Sequence, residues 1–365
     1  MSEWQTFYLK DLGKIVGGAT PPTNNPKNYG NKIAWITPKD LSTLQRRYIK
    51  KGSRNISRLG FKSCSCVLLP KHAILFSSRA PIGYVAIAEK RLCTNQGFKS
   101  IIPNKKIYFE FLYYLLKYHK DNISSIGGGT TFKEVSGATL GLFQVKIPPT
   151  YYEQQKIART LSILDQKIEN NHKINELLHN LAHKVYEYYF KYKPKNAKLE
   201  QIIIENPKSS IMVKNAQKTQ DKYLFFTSGD NILSYPKAII DGRNCFLNTG
   251  GNAGIKFYVG KASYSTDTWC IGANEFSDYL YLLLSSIKTH INQSFFQGTS
   301  LKHLQKNLLK KYPIYMPSAH EIKKFNQIIM PLLTLISINT RTSKKLEQIR
   351  DFLLPLLLKQ QVKPK

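Results

Sequence analysis

The chain has 365 residues, 42% of them hydrophobic, so it is long enough for two ordinary domain cores and is not disordered in composition. Its 54 lysines and arginines against 23 aspartates and glutamates give a formal charge of +31. This charge favours a polyanionic partner such as nucleic acid. The abundance of Lys, Asn, Ile and Tyr also fits the drift in composition that AT-rich coding produces, so part of the charge has a second explanation.

Apolar runs and cysteines argue against other classes of protein. The longest apolar runs, 328–338 and 352–358, are shorter than the roughly 18 to 20 residues of a membrane span, and each contains a proline. The first ten residues hold no apolar signal core, so we expect a cytoplasmic protein without a membrane partner. Cys64 and Cys66 form a lone C-x-C, which indicates neither a disulfide framework nor a four-ligand zinc site.

Residues 1–150 predict a mixed domain that is rich in strands. Segment 73–89, AILFSSRAPIGYVAIAE, contains β-branched and aromatic runs separated by Gly, Pro and Ser, which is typical of strands and turns. Segment 109–123, FEFLYYLLKYHKDNI, predicts a short apolar helix.

Residues 151–192 predict one long amphipathic helix. Its apolar residues recur at steps of three and four from Ile157 to Tyr189, which is the period of a helix face. Asn170 and Asn171 interrupt this stripe, and Pro194 is a stop signal just beyond it.

The second half of the chain repeats the first. At an offset of 168 the apolar stripe of the long helix falls on a second stripe from Phe325 to Leu357. At an offset of 169, segment 127–149 falls on segment 296–318. Residues 193–318 therefore predict a second mixed domain, and residues 319–360 a second long helix. Coincident positions include Asn171 with Asn339, Glu153 with Glu321, Gly129 with Gly298, Thr130 with Thr299 and Lys133 with Lys302.

This repeat predicts an α+β fold in which two mixed globular domains, in pseudo-twofold repeat, are separated by two long antiparallel helices. Equivalent midpoints meet in an antiparallel pair, so Asn171 and Asn339 are expected to face each other or a shared partner. A polar pair inside an apolar seam fixes helix register at some cost in stability. The alternative is that both asparagines lie on exposed helix faces.

The doubled pattern resembles the specificity subunit of type I restriction-modification enzymes over essentially the full chain. The resemblance rests on the repeated Gly-Thr and Lys loop, a strand, a proline and the Glu-rich start of a long helix. The C-terminal segment 344–362, KKLEQIRDFLLPLLLKQQV, is also similar to the family's final helix, where an Arg-Asp pair precedes a Leu-Leu-Pro turn. The second domain is shorter than the first, which departs from the match.

The resemblance implies a subunit that is not an enzyme on its own. Each domain would be a target recognition domain for one half of a split site in double-stranded DNA. The helices would set the gap and dock two methyltransferase (modification) subunits, with restriction or translocase subunits in the larger complex. No cofactor is expected on this chain, whereas S-adenosylmethionine, ATP and Mg would bind the partner subunits.

Motifs for catalysis are not apparent. Segment 146–152, KIPPTYY, is similar to the Pro-Pro-aromatic loop of DNA amino-methyltransferases, but Ile147 stands where a polar residue must hold the target amino group. The glycine-rich segments 125–131 and 248–254 lack the spacing of a phosphate-binding loop. His179 and His183 form an i, i+4 pair without the glutamate of H-E-x-x-H, so no metal site is predicted.

Candidate DNA-binding residues are chosen by chemistry and placement, because Arg and Lys bind guanine edges and Asn and Gln bind adenine edges. In the first domain the base-contacting candidates are Lys39, Arg46, Arg47, Arg54, Arg58, Arg79, Gln96 and Lys99. In the second domain they are Arg243, Asn244, Asn248, Asn252 and Lys256. Phosphate-contacting candidates on the two Gly-Thr turns are Thr130, Thr131, Lys133, Thr299, Ser300 and Lys302.

A second hypothesis is a stand-alone DNA-binding regulator or a self-contained DNA-modifying enzyme. Such an enzyme needs a nucleotide or methyl-donor site, and the sequence shows no motif for either. Affinity for a methyltransferase chain would distinguish the two hypotheses.

Overall fold

The computed structural model describes residues 3–129, 133–216 and 222–363. The first mixed domain consists of short strands around one substantial helix. Its strands are β1 (Gln5–Tyr8), β2 (Gly13–Gly17), β3 (Tyr29–Ile36), β4 (Tyr48–Ile49), β5 (Asn55–Ile56), β6 (Ile74–Phe76), β7 (Val85–Ala88), β8 (Cys93–Thr94), β9 (Lys99–Pro103) and β10 (Gln144–Ile147). Its helices are α1 (Leu9–Leu12), α2 (Pro38–Ser42), α3 (Arg58–Lys62), α4 (Phe109–Ser125) and α5 (Gly137–Gly141), followed by the long helix α6 (Tyr151–Phe190).

The second mixed domain also consists of short strands and short helices that lead into a long helix, but its order of elements differs in part from that of the first. Its strands are β11 (Ala197–Lys198), β12 (Ile204–Glu205), β13 (Tyr223–Phe226), β14 (Ile232–Tyr235), β15 (Arg243–Asn248), β16 (Ile255–Val259), β17 (Ala262–Tyr264), β18 (Thr268–Gly272), β19 (Phe296–Gln297), β20 (His303–Leu304) and β21 (Pro313–Ile314). Its helices are α7 (Val213–Ala216), α8 (Ser277–Ser286), α9 (Lys288–Ser294) and α10 (Lys306–Lys310), followed by the long helix α11 (Ala319–Leu358).

The chain divides into two compact units, and the division cuts both long helices. Unit 1 contains residues 1–169 and 346–365, and unit 2 contains residues 170–345. Unit 1 therefore contains the first mixed domain, the N-terminal part of α6 and the C-terminal part of α11. Unit 2 contains the second mixed domain and the remaining parts of both helices.

Unit 1 is built on a five-stranded sheet in the order β2-β9-β6-β7-β4. Its pairs are antiparallel except for β4 and β7, which are parallel. A second sheet has the order β5-β3-β8, and β1 pairs with β10. Alternation along the strands sends Ile74 and Phe76 to the face that packs on α4, and Leu75 to the face shared with Ile36 of β3.

Helix α4 forms the centre of unit 1. All of its residues from Phe111 to Leu116 are buried, as expected for a helix that is apolar on every side. It packs between the sheet and the long helices, where Ile157 and Leu161 of α6 and Leu354 of α11 belong to the same core.

Unit 2 repeats this architecture with one strand fewer in its main sheet, among the described residues. Its sheets have the orders β12-β18-β15-β16 and β14-β13-β17, and β11 pairs with β21. The counterpart of α4 is α8, whose residues 277–284 are all buried. Its core includes Phe190 of α6 and Phe325 of α11. The predicted α+β fold class, in two repeated mixed domains with two long helices, is confirmed.

Both long helices have 40 residues, and α11 begins and ends 168 residues after α6. Each starts with an N-cap hydroxyl that accepts a hydrogen bond from the N–H of a glutamate three residues later. The Thr150 hydroxyl accepts a hydrogen bond from the N–H of Glu153 at 3.2 Å, and the Ser318 hydroxyl accepts one from the N–H of Glu321 at 3.3 Å. In α11 the N–H of Ser318 also donates to the Glu321 carboxylate at 2.9 Å, which completes a capping box. The backbone N–H of Ser318 and the Tyr315 hydroxyl hold the pKa of Glu321 at about 2. The repeated glutamate of the sequence is thus a helix start signal.

The C-terminal end of α11 differs from the Leu-Leu-Pro turn that the resemblance implied. Pro355 lies inside the last turn, and the helix continues to Leu358. The N–H of Gln361 donates to the carbonyl of Leu356 at 2.8 Å, and Gln360 adopts a left-handed φ of 59°. This is a Schellman arrangement, which ends a helix by satisfying its last carbonyls.

Asn171 and Asn339 both lie in unit 2, but they do not bind each other. Asn171 donates to the Ser343 hydroxyl at 3.2 Å, and Asn339 donates to the side chain of Asn175 at 2.9 Å. The two contacts are equivalent in the repeat, because Ser343 lies 168 residues after Asn175. Because the helices are antiparallel, these two contacts place residue 173 of α6 opposite its repeat equivalent, residue 341 of α11. Asn171 lies two residues before that point, so it does not meet its own equivalent, Asn339. The expectation that the asparagines face each other is wrong, and their role in helix register stays a prediction.

Another helix contact is polar in unit 1 and apolar in unit 2. In unit 1, Arg350 Nη1 donates to Asp165 Oδ1 at 2.7 Å, and the Tyr114 hydroxyl donates to Asp165 Oδ2 at 2.6 Å. The positions 168 residues away in the repeat are Ala182, Leu333 and Leu282, all of which are buried.

An arginine in each unit ties the mixed domain to a long helix. Arg47, 6% exposed, contacts Glu110 of α4 at 3.1 Å through Nη1 and Glu169 of α6 at 3.1 Å through Nε. In unit 2, Arg243 forms an ion pair with Asp278 of α8 and donates to the Thr334 hydroxyl of α11 at 3.0 Å. Glu110 and Asp278 are each the second residue of their helix, so the carboxylate is equivalent although Arg47 precedes β4 and Arg243 begins β15.

Within the described residues, neither long helix has an apolar stretch sufficient to cross a membrane.

We expect Arg47→Ala to lower the free energy of unfolding by about 3 to 5 kcal/mol, because it removes a buried cation from the partly buried carboxylates of Glu110 and Glu169. The neighbouring exposed Arg46 is the matched control, and Arg46→Ala should change stability by less than about 0.5 kcal/mol. Urea titration of the full chain measures both values. Equal effects of the two substitutions would contradict the anchoring role of Arg47.

Candidate nucleic-acid interface

Three loops of unit 1 are joined by backbone hydrogen bonds into one surface. They are the loop after β6 (77–83), the loop before β9 (95–98) and the described parts of the loop between α4 and α5 (126–129 and 133–136), and together they are called loop cluster 1. The N–H of Ser78 donates to the carbonyl of Gly97 at 2.8 Å, and the N–H of Val135 donates to the carbonyl of Ser78 at 3.0 Å. These bonds bring together residues 77–83, which hold the candidate Arg79, residues 95–98, which hold Gln96, and residues 133–136, which hold Lys133.

Charged side chains meet on loop cluster 1. Glu134 lies between two cations, with Arg79 Nη1 at 3.5 Å from Oε2 and Lys99 Nζ at 3.2 Å from Oε1. The three side chains are partly exposed, at 37% for Arg79, 33% for Glu134 and 21% for Lys99. Exposed Lys133 adds a further cation, so the cluster has a net positive charge in its described residues.

The start of α2 lies beside this surface. Gly97 is so close to Pro38 that a Cβ at residue 97 would be 2.9 Å from its ring, which explains the glycine. Exposed Lys39 follows Pro38 directly. The exposed Gln96 side chain accepts a hydrogen bond from the Thr20 hydroxyl, so the loop after β2 also contributes.

Unit 2 contains the same loop scaffold, which is called loop cluster 2 (249–254, 265–267 and 297–304). The N–H of Thr249 donates to the carbonyl of Asp267 at 3.2 Å, and the N–H of Leu304 donates to the carbonyl of Thr249 at 3.0 Å. These bonds match those of Ser78 with Gly97 and of Val135 with Ser78.

The matching hydrogen bonds define equivalent positions in the two clusters, and the bonds of the Asn95 N–H to the Ile36 carbonyl and of the Ser265 N–H to the Phe226 carbonyl extend the match to the adjacent residues 37–39 and 227–229. The chemistry of these positions differs. Cluster 1 presents cations where cluster 2 has glycine or a buried indole, and one lysine is common to both. The equivalent pairs are Lys39 and Gly229, Arg79 and Gly250, Gln96 and Thr266, Lys99 and Trp269, Lys133 and Lys302, and Glu134 and His303.

The other cations predicted for the first domain lie elsewhere. Arg54 stacks on the Tyr29 ring, with its guanidinium carbon 3.4 Å from the ring centroid, and Arg58 begins α3. Both are exposed near the pairing of β3 with β5. Arg46 is also exposed, but it lies just before β4. Arg47 must be corrected, since its buried guanidinium is engaged by two carboxylates and cannot approach a base.

Four of the residues predicted for the second domain also have structural contacts. Asn244 and Asn248 are 5% and 7% exposed, and Arg243 is engaged with Asp278. Lys256 Nζ donates to the carbonyl of Thr227 at 2.9 Å and to Asn248 Oδ1 at 3.1 Å. Asn248 and Lys256 support loop cluster 2 from within unit 2, whereas Arg243 and Asn244 lie at the opposite end of β15. The prediction of these four side chains as base-contacting residues is therefore corrected.

The remaining predicted residues of the second domain are exposed. Asn252 accepts a hydrogen bond from the Asn248 side chain through its backbone carbonyl, at 3.1 Å, which leaves its own side chain at the surface. Thr299, Ser300 and Lys302 are all exposed on loop cluster 2. Thr130 and Thr131 lie outside the described residues.

Sequence reasoning missed four polar residues that the structure brings to these surfaces. Glu134, His303, Thr266 and Ser228 belong to no motif, and Ser228 reaches loop cluster 2 by donating to the carbonyl of Asp267. One signal was available: at the offset of 169, Glu134 and His303 are equivalent and differ in charge beside a shared lysine.

Among the residues that the structure describes, no group of three or more His, Cys, Asp or Glu side chains is placed to hold a metal ion. Burial raises the pKa of the Cys270 thiol to about 12, so this thiol stays protonated.

The fold and its loops define a class of duplicated binding protein, in which two copies of one α+β unit present different side chains from equivalent loops. The sequence matches the family model for the type I restriction modification DNA specificity domain twice, over residues 1–180 and 188–348. The chain belongs to this type I restriction-modification DNA specificity family.

Individual proteins agree with this assignment. The chain is 33% identical to the type I restriction enzyme MjaIX specificity subunit of Methanocaldococcus jannaschii, with 98% of this chain and 93% of that protein covered. It is 30% identical to the HindI specificity subunit of Haemophilus influenzae over 46% of this chain and 37% of that protein. The crystal structure of the type I restriction-modification S subunit from M. genitalium has the same fold, with a TM-score of 0.62 at 17% identity, covering 97% of this chain and 96% of that one.

Lys256 gives unit 2 a pH-dependent stability. Burial lowers the pKa of this lysine to about 8 from its ordinary value of 10.5. Below pH 8 the lysine is protonated in both the folded and the unfolded chain, and burial of the charge opposes folding. Between about pH 8 and 10.5 the unfolded chain binds the extra proton, so stability rises with pH.

We therefore expect the free energy of unfolding of the unmodified chain, relative to that of Lys256→Met, to increase as pH rises from 8 towards 10.5. Urea titrations of both proteins at several pH values measure this difference. Groups that titrate equally in the two proteins cancel. A difference that stays constant or falls across the window would contradict the burial of this charge.

Proposed function

We propose that each unit recognises one half of a two-part site in double-stranded DNA through its loop cluster, and that α6 and α11 set the gap between the halves. The observation that supports this function most strongly is the repetition of one loop scaffold with different side chains. A scaffold kept in backbone but changed in chemistry suits recognition of two different base sequences. The exposed cations of both clusters suit the phosphates on either side.

The same proposal assigns the long helices to partner subunits. Exposed apolar side chains occur on both helices in the described residues, including Leu177, Tyr188 and Phe352. Leu181 of α6 and Ile349 of α11 are equivalent in the repeat, and each is 47% exposed. Such paired apolar positions suit two copies of one partner, which we infer to be two methyltransferase subunits.

Catalysis is assigned to the partners in this proposal. S-adenosylmethionine would bind the methyltransferase subunits, and ATP and Mg would bind restriction or translocase subunits. The chain alone would neither methylate nor cut DNA, and it would act in the cytoplasm, where partner subunits and DNA are present.

Sequencing of methylated sites tests this function. The chain is assembled with its methyltransferase subunit and S-adenosylmethionine, genomic DNA is exposed to the complex, and the modified positions are mapped. We expect a motif of two short specified halves separated by unspecified base pairs. A continuous motif, or methylation or cleavage of DNA by the chain alone, would show that the proposed function is wrong.

Two classes of substitution should separate base contacts from phosphate contacts. Arg79→Ala should weaken binding of the correct site by about 1 to 3 kcal/mol and relax one base pair of one half-site. Lys133→Ala or Lys302→Ala should weaken binding to all sequences and reduce the slope of log affinity against log salt by about one. Titration of duplexes with each base pair changed, at two salt concentrations, measures both effects. Equal loss at every base pair after Arg79→Ala would exclude its assigned role.

Lengthening both helices at opposing points should lengthen the gap. Seven residues inserted after residue 172 and seven after residue 341 keep the helix faces aligned and preserve the contact of Asn171 with Ser343 and that of Asn175 with Asn339. The insertion adds about 10 Å of helix, or roughly three base pairs of DNA. Mapping of methylated sites should then show the same two halves with a longer gap. An unchanged gap would contradict the spacer function.

A further inference from the structure

We propose that Glu134 is a positioning residue for sequence recognition, whose carboxylate orients the guanidinium of Arg79 towards a base edge in the half-site bound by unit 1. This inference rests on the proposed function and adds to it a residue that contributes through its neighbour.

The geometry places Glu134 where it can direct Arg79. Its carboxylate contacts Arg79 through Oε2 at 3.5 Å and Lys99 through Oε1 at 3.2 Å, so each oxygen has one cation. Backbone hydrogen bonds of 2.8 and 3.0 Å between Glu134 and Gly128 fix the position of the residue. Arg79 remains 37% exposed, which leaves part of its guanidinium available to a ligand.

The repeat shows that the fold does not require this carboxylate. In unit 2 the same strand pair forms between β19 and β20, where His303 pairs with Gln297 as Glu134 pairs with Gly128. The cations are absent there as well, because Gly250 and Trp269 occupy the positions of Arg79 and Lys99. The carboxylate is therefore present in the unit that has the two cations and absent from the unit that has only the same backbone pairing.

The chemistry explains why a negative charge belongs on a DNA-binding surface. An arginine that binds guanine must present two N–H groups in one plane to O6 and N7, and a carboxylate on its other edge fixes that plane. The same charge repels phosphates, so it lowers the affinity of cluster 1 for DNA of any sequence. Glu134 thus increases discrimination between sequences while it reduces non-specific binding.

Glu134→Gln in the assembled methyltransferase complex tests this inference, since glutamine keeps the size of the side chain and removes its charge. Affinities are measured for duplexes that carry the mapped motif and for duplexes with each base pair changed in turn. We expect discrimination to fall by about 5- to 100-fold at the one base pair that Arg79 contacts. Affinity for non-specific DNA should rise, with a salt slope steeper by up to about one.

Two further variants exclude a general effect of charge or folding. Glu89→Gln removes one negative charge from the opposite end of β7 and should leave discrimination unchanged at every base pair. In an Arg79→Ala background, Glu134→Gln should cause no additional loss of discrimination, because its effect passes through Arg79.

The outcomes distinguish this inference from the proposed function. Unchanged discrimination after Glu134→Gln, equal losses in both half-sites, or weaker non-specific binding would each overturn the positioning role. An additional loss in the Arg79→Ala background would also overturn it. If the unmodified complex recognises no two-part motif, the proposed function itself fails.

Discussion

The pairing of an arginine with a carboxylate in the first turn of α4 or α8 is the interaction on which each unit depends. Glu110 and Asp278 occupy the same position in the repeat, and each would lose its cationic partner if its arginine were absent, a loss most costly for the buried Asp278. Arg47 comes from beside β4 and Arg243 from β15, so the two copies satisfy one electrostatic requirement by different routes. Because these arginines also contact the long helices, they hold the sheets, and the loops at the ends of the sheets, on the helical frame.

Most of the fold could be predicted because the second half of the sequence repeats the pattern of the first. Coincidence of apolar positions at an offset of 168 identified both long helices, whose observed lengths and spacing agree with it. Proline was a weaker guide, since Pro331 and Pro355 lie within α11 rather than at its ends. Helix propensity describes local preference, and burial of a continuous apolar face outweighs it here.

Much less of the candidate site could be predicted, for a physical reason. Residue type alone cannot distinguish an arginine that neutralises a buried carboxylate from one that faces solvent, and Arg47 and Arg243 were assigned to DNA on type. Lys133 lies on the surface as expected, because segments that connect secondary-structure elements are usually exposed, and Lys39 is exposed on the short helix α2. Glu134 was overlooked since acidic residues are not expected where a polyanion binds.

The contact of Arg350 with Asp165 also determines which copies of the repeat can associate. Asp165 belongs to the first copy and Arg350 to the second, whereas the corresponding positions in unit 2 are the apolar Leu333 and Ala182. Two first copies placed together would bury an aspartate against alanine, and two second copies would bury an arginine against leucine. The aspartate would then lack its cation, and the arginine would keep only its contact with the exposed Asp351 at 2.8 Å. The ion pair therefore favours association of unlike halves over association of like ones.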